Sequence, residues 1–153
     1  MGERYFGHAT CAVGTAKALL NLFQSAATPT RRPRIYEVGL GCAATPAEAA
    51  TKFSIVRTTG LGTEAGGFVP VPLDAGGPAA QADFGCGPFS VEPTKTANSE
   101  LLVVALNQRA TFRWIANPGC ELLLPATQNN GACLQSAEST VATAHTGAIY
   151  FEE

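Results

Sequence analysis

Two histidines, five cysteines and twelve carboxylates are the groups through which this 153-residue chain could do acid–base, nucleophilic or metal chemistry. His8 and His145 stand near opposite ends, and neither belongs to a His-x-His or His-Glu-x-x-His spacing, so a histidine-built metal site lacks its ligand pattern. His145 falls in an alternating segment and reads as a structural or interface residue. Cys11, Cys42, Cys86, Cys120 and Cys133 are odd in number, widely spaced and without any Cys-x-x-Cys pair. They read as small buried hydrophobes rather than a disulfide framework or zinc site, with pairing of some of them left open. The two aspartates, Asp74 and Asp83, lie in loop-like sequence, and Glu152-Glu153 are adjacent at the terminus. Gly39-Leu-Gly-Cys and Gly60-Leu-Gly-Thr lack the Lys-Ser/Thr or third glycine of a phosphate loop and read as turns. The expectation is a protein that is not an enzyme, with no catalytic residue, no metal and no cofactor.

The arginines are more suggestive. Arg57 and Arg113 project from alternating segments among apolar or small neighbours, and Arg109 follows Asn107-Gln108. A guanidinium's planar fork can grip a carboxylate with two hydrogen bonds, so these three are candidate residues of an interface between subunits, against the plainer reading that they solvate the surface.

The elements that must position them are strands. Period-two alternation recurs in short segments broken by Gly, Pro and Asn, the pattern of a sandwich rather than of helices. Over residues 34–42, Tyr36, Val38, Leu40 and Cys42 share one face. Residues 52–58 set Phe53, Ile55 and Arg57 against Lys52, Ser54, Val56 and Thr58, and residues 111–115 set Phe112 and Trp114 opposite Arg113. Phe53, Ile55, Phe112 and Trp114 are therefore core candidates. The run 101–106, Leu-Leu-Val-Val-Ala-Leu, is too short for a typical helix and reads as a central strand buried on both faces. Residues 121–125 form a further short strand, Asn129-Asn130-Gly131 a tight turn, and 140–151 a long closing strand. Residues 16–23 fit a helix or a strand, and strand is preferred; 47–52 fit one helical turn after Thr45-Pro46. The segment 58–88 is rich in Gly and Pro and reads as loop or edge, with 67–73 at best a short edge strand. No repeat or composition break divides the chain, so residues 1–153 are expected to be a single all-β domain, an antiparallel β-sandwich.

Composition narrows the partners. Hydrophobic residues are 46% but charged ones only 14%, which suggests a surface partly covered by other proteins. With a net charge of −2 and no basic run beyond Arg31-Arg32, a nucleic-acid partner is not expected. No stretch approaches the ~20 apolar residues of a membrane span, and the first residues do not form a secretory leader, so the chain is expected to be made in the cytosol.

The stretch Leu106-Asn-Gln-Arg-Ala-Thr-Phe-Arg-Trp-Ile-Ala-Asn-Pro-Gly-Cys-Glu-Leu-Leu-Leu-Pro-Ala-Thr and the closing Ile149-Tyr-Phe-Glu-Glu153 carry a likeness, along with Arg4-Tyr-Phe, Pro33-Arg-Ile-Tyr-Glu-Val, Pro70-Val-Pro-Leu-Asp and Glu92-Pro-Thr. With them the chain resembles the jelly-roll head cement, or decoration, proteins of tailed bacteriophages, over nearly its whole length. Its five cysteines depart from the cysteine-poor texture of that family. The resemblance implies a homotrimer on the outer surface of the phage head that stabilises contacts between major capsid protein subunits. Two other readings stand beside it. One is a jelly-roll carbohydrate- or receptor-binding module of a phage tail or baseplate, which exposed aromatics clustered together would favour. The other is a cupin-like enzyme, which would require a metal or carboxylate site that the spacing does not announce.

Overall fold

A computed structural model describes residues 2–12, 14–139 and 141–153. Eleven strands run in order: β1 (Arg4–Ala12), β2 (Lys17–Gln24), β3 (Arg34–Cys42), β4 (Ala50–Thr58), β5 (Thr63–Phe68), β6 (Ala82–Val91), β7 (Lys95–Asn107), β8 (Phe112–Ile115), β9 (Leu122–Leu123), β10 (Gly131–Ser139) and β11 (Ala144–Glu152). One sheet has the order β1-β11-β3-β8, with β9 also paired to β3, and the other the order β5-β6-β2-β10-β4-β7. All the pairings are antiparallel.

The topology is that of one long hairpin rolled up. The first half of the chain pairs with the second in reverse order, β1 with β11, β2 with β10, β3 with β8 and β4 with β7. Rolling then brings β11 beside β3 and β10 beside β4. Strands β1 to β4 alternate between the sheets, as do β9 to β11, in the manner of a rolled antiparallel β-sandwich of the jelly-roll type. The segment between β4 and β7 crosses to the far side, where the β5–β6 hairpin extends the six-stranded sheet beyond β2.

The core lies between the sheets. Leu19, Leu20 and Leu22 of β2, Ile35, Val38 and Leu40 of β3, Phe53 and Ile55 of β4, Phe84 of β6 and Phe151 of β11 are buried there. Phe53 and Ile55 hold the inner places their alternation predicts. Two irregularities adjust the pattern. Pairing shifts opposite Leu19, so that Leu19 and Leu20 both enter the core. Pairing shifts again opposite Tyr36, so Ile35 and Val38 point inward while Tyr36 turns to the outer face. Such a bulge places two residues against one and breaks strict alternation.

Several expectations are corrected. The apolar run 101–106 is not a central strand: it lies in β7, the edge of its sheet, with Val103 exposed. Phe112 and Trp114 are only half-buried, because β8 is the corresponding edge of the other sheet. Residues 47–49 carry no helical turn, and the strand β4 begins at Ala50. The Gly- and Pro-rich stretch 58–88 contains β5 and much of β6, and residues 132–139, for which the alternation suggested no strand, form the central strand β10. The closing strand begins at Ala144, with Thr140 outside the described residues. The turn at Asn129 has the positive φ of 66° its sequence suggested.

Candidate interaction surfaces

The chemical groups first singled out are not brought together. His8 is exposed on β1, its ring stacked at 5.5 Å on Phe6. His145 is buried in the core against Phe53, with its Nδ1 3.3 Å from the Thr143 carbonyl, and burial pushes its pKa below the usual imidazole value. All five cysteines are free thiols; burial raises Cys11, and lifts Cys86 to about 11 and Cys133 to about 12, so these three are not poised as thiolates. No three His, Cys, Asp or Glu side chains gather as a metal cluster among the described residues.

The three interface arginines take three different places. Arg57 is half-buried on β4 and reaches across the sandwich to donate to the Leu123 carbonyl of β9 at 3.3 Å. Arg109, in the turn after β7, lies 3.7 Å from Glu48, both exposed. Arg113 projects from the outer face of β8 and donates to Glu37 at 2.7 Å. Two of the three thus meet carboxylates of their own chain, and the third props a strand.

Three surfaces are candidates for contact, and the first is the β7–β8 side. Among the described residues β7 pairs only with β4, and β8 only with β3, so two adjacent edges present unpaired backbone groups. Leu102, Val104 and Phe112 turn inward from these edges towards Val38 and Phe53, but remain half-exposed along with Leu106 and Trp114. Val103 and Ile115 are about half-exposed on the same side.

The opposite side is closed by the chain itself. After β5, residues 69–73 cross to β1, where Pro72 bridges to Tyr5 and the Leu73 N–H donates to the Arg4 carbonyl at 2.8 Å. The Tyr5 hydroxyl donates to the Pro78 carbonyl at 2.9 Å. This strap seals the gap between the sheets but leaves Val69, Val71 and Leu73 exposed at 56%, 74% and 55%.

The third surface is the outer face of the β1-β11-β3 sheet. Phe6 and Tyr150 lie 4.6 Å apart and Tyr150 and Tyr36 6.2 Å apart, with the Arg4 guanidinium 5.5 Å over the Tyr36 ring. Sequence reading passed over this row because its members lie on three strands and the bulge at Tyr36 moves one of them across the sheet. The row leads into two adjoining clefts, of about 600 and 290 Å³, which share Arg34, Glu121 and Glu152. Four of the seven arginines, Arg4, Arg31, Arg32 and Arg34, line them. Sequence signalled this only as the pair Arg31-Arg32; folding adds Arg4 and Arg34 from paired ends of β1 and β3 on either side of β11. Set against known proteins, the chain matches no family model, no curated protein and no solved structure.

Proposed function

We propose that the chain is a structural virion protein, a cement or decoration protein that trimerises on the outer surface of a tailed-phage head and braces contacts between major capsid protein subunits. The observation that carries the reading is the open β7–β8 side. A run of aliphatic side chains on an edge strand, beside an aromatic edge of the facing sheet, leaves apolar area half-covered and backbone groups unpaired, which a second protein surface would complete. A closed ring of three is built from contacts between two different patches. The β7–β8 side and the apolar strap on the far side are two such patches, and a specific interface needs about 800 Å² from each partner. The low charge content and the resemblance of its sequence phrases to head cement proteins support the same reading.

Mass measurement by light scattering should give a trimer, and the protein added to heads lacking it should bind saturably and raise their rupture temperature. A monomer that ignores the heads would overturn the reading.

A second reading, a carbohydrate- or receptor-binding module of a phage tail or baseplate, is favoured by the aromatic row Phe6–Tyr150–Tyr36. Sugar rings stack on open aromatic faces, whereas here neighbouring rings and the Arg4 guanidinium already cover part of those faces. A glycan array bound by the protein, with binding lost in Tyr150→Ala, would make this the better reading.

A further inference from the structure

We infer that the arginine-lined clefts between β1, β3 and β9 bind the carboxylates of an acidic peptide segment belonging to a partner protein. The inference stands apart from the head-decoration reading, since it requires only a partner with acidic side chains.

The cleft is built and partly committed. Arg4 is used by Glu152, at 3.6 Å, and Arg31 by the Ala79 carbonyl at 3.2 Å and Glu153 at 3.9 Å. Arg32, which lines the larger cleft, spends only its Nε–H, on the Leu124 carbonyl at 2.9 Å, which anchors the side chain and leaves its outer nitrogens without a hydrogen-bond partner among the described residues. Arg34 is exposed and its guanidinium has no hydrogen-bond or ion-pair partner among the described residues, although it lines both clefts. One anchored fork and one uncommitted fork, both with free donors and both lining a cleft of ligand size, offer the paired donors that bidentate recognition of a carboxylate uses.

Charge selects the ligand. Four guanidiniums face Glu121, Glu152 and Glu153, an excess of one positive charge. The side chain of Glu153 is fully buried and its Oε2 has no hydrogen-bond partner among the described residues. Burial also raises its pKa, which favours the neutral acid and adds to the positive balance. With Glu153 neutral the excess approaches two, which the separate side-chain carboxylates of an acidic segment can match, whereas a compact dianionic phosphate would bring both its charges together beside Glu121 and Glu152. The smaller cleft also reaches Tyr36, where the aromatic row begins, so the segment held by its carboxylates would pass onto an apolar surface.

The test uses the whole protein and two end-blocked peptides, hexaglutamate and hexaglutamine, with binding followed by titration calorimetry at low salt. Hexaglutamate should bind saturably and hexaglutamine should not. Arg34→Gln should weaken hexaglutamate at least tenfold without moving the unfolding midpoint, since this exposed side chain makes no hydrogen bond or close ion pair among the described residues and meets Glu121 only at longer range. Arg32→Gln should do the same at some cost in stability, and Arg109→Gln, outside the clefts, should change nothing. Equal binding of the two peptides, no binding of hexaglutamate, or full binding by the Arg32/Arg34 double variant would overturn the assignment. Displacement of the peptide by an equal concentration of inorganic phosphate would make the cleft a phosphate site instead.

Discussion

The six-stranded sheet has two ends, and they solve the problem of a free edge in opposite ways. At one end, β5 is six residues long, exposed throughout, carries Glu64, Gly66 and Gly67, and loses register twice against β6. Short length, glycine, charge and bulges are the devices by which an edge is kept from pairing with another chain. At the other end, β7 is thirteen residues long and carries Leu101, Leu102, Val103, Val104 and Leu106. The side of the molecule next to β5 is sealed by the chain's own strap, whereas the side at β7 lies beside a second open edge, β8. One end has been made unattractive to partners; the other has kept what a partner would cover.

The largest expected effect tests whether the core is independent of the β7–β8 side. Phe84 is fully buried and meets Phe151 edge-on at 5.7 Å, so Phe84→Ala should cost about 3–5 kcal/mol, a large share of a typical domain's stability. Trp114, half-buried on β8, should cost roughly half as much in the dilute monomer when cut to Ala. Urea unfolding of both variants at low and high protein concentration checks this. If the β7–β8 side is an interface, the Trp114→Ala deficit grows with concentration and the Phe84→Ala deficit does not.

Next comes the edge itself. Val103→Lys places a charge on the exposed face of β7 and should leave monomer stability within about 0.5 kcal/mol. Self-association should weaken at least tenfold, about 1.4 kcal/mol, by sedimentation. A lysine at Ala65 on β5, already exposed and flanked by Glu64, should leave association unchanged. If both lysines act alike, the two ends of the sheet do not differ as described.

How far the sequence reveals these two ends follows from what an apolar run encodes. Strands β3, β8 and β11 were legible because their residues alternate between the core and a more exposed outer face. The run 101–106 reads as central because side chains that want cover on both faces look the same whether a neighbouring strand or another molecule supplies it. Strand β10 was illegible for the converse reason. It is central, yet Gln135 and Ser136 interrupt its apolar pattern; the Gln135 amide donates to the Ser54 hydroxyl on the neighbouring strand at 3.0 Å, a pairing invisible in one dimension. The arginine clefts escaped because residues 4, 31, 32 and 34 meet only once β11 has paired with both β1 and β3.

A smaller effect concerns pH. The folded pKa of His145 lies below its ordinary 6.5 because burial disfavours the charged ring. Between the two values the unfolded chain binds the proton and the folded chain does not, so this group's contribution is fully present above about 6.5 and is lost as pH falls through the folded pKa. Glu64, Asp83 and Glu153 have raised values and act in the other sense, favouring the fold as they are protonated at lower pH. The comparison to make is therefore wild type against His145→Gln: the difference in unfolding midpoint should shift in favour of the variant on going from pH 7 to pH 5. A difference that stays constant across that range would mean the ring is not neutral and buried in the fold.

The smallest effects belong to the three arginines first singled out, and they separate by place. Arg57 donates from within the sandwich to a strand carbonyl, so Arg57→Met, which keeps the stem but not the donor, should cost about 0.5–1.5 kcal/mol in any state of assembly. Arg109 and Arg113 pair with Glu48 and Glu37 at the exposed surface, where solvent and salt screen the attraction. Replacing either with Gln should leave the monomer's unfolding midpoint unmoved. Arg113 and Glu37 lie on neighbouring strands at the β8 edge, beside the open side, and a partner seated there would exclude water from the pair. In the assembled protein Arg113→Gln should then become measurable, because the stranded Glu37 carboxylate would be desolvated without its fork. Arg109, held only to an exposed loop glutamate, should stay silent in both states. An Arg113 variant equally silent in monomer and assembly would move the interface away from the β8 edge.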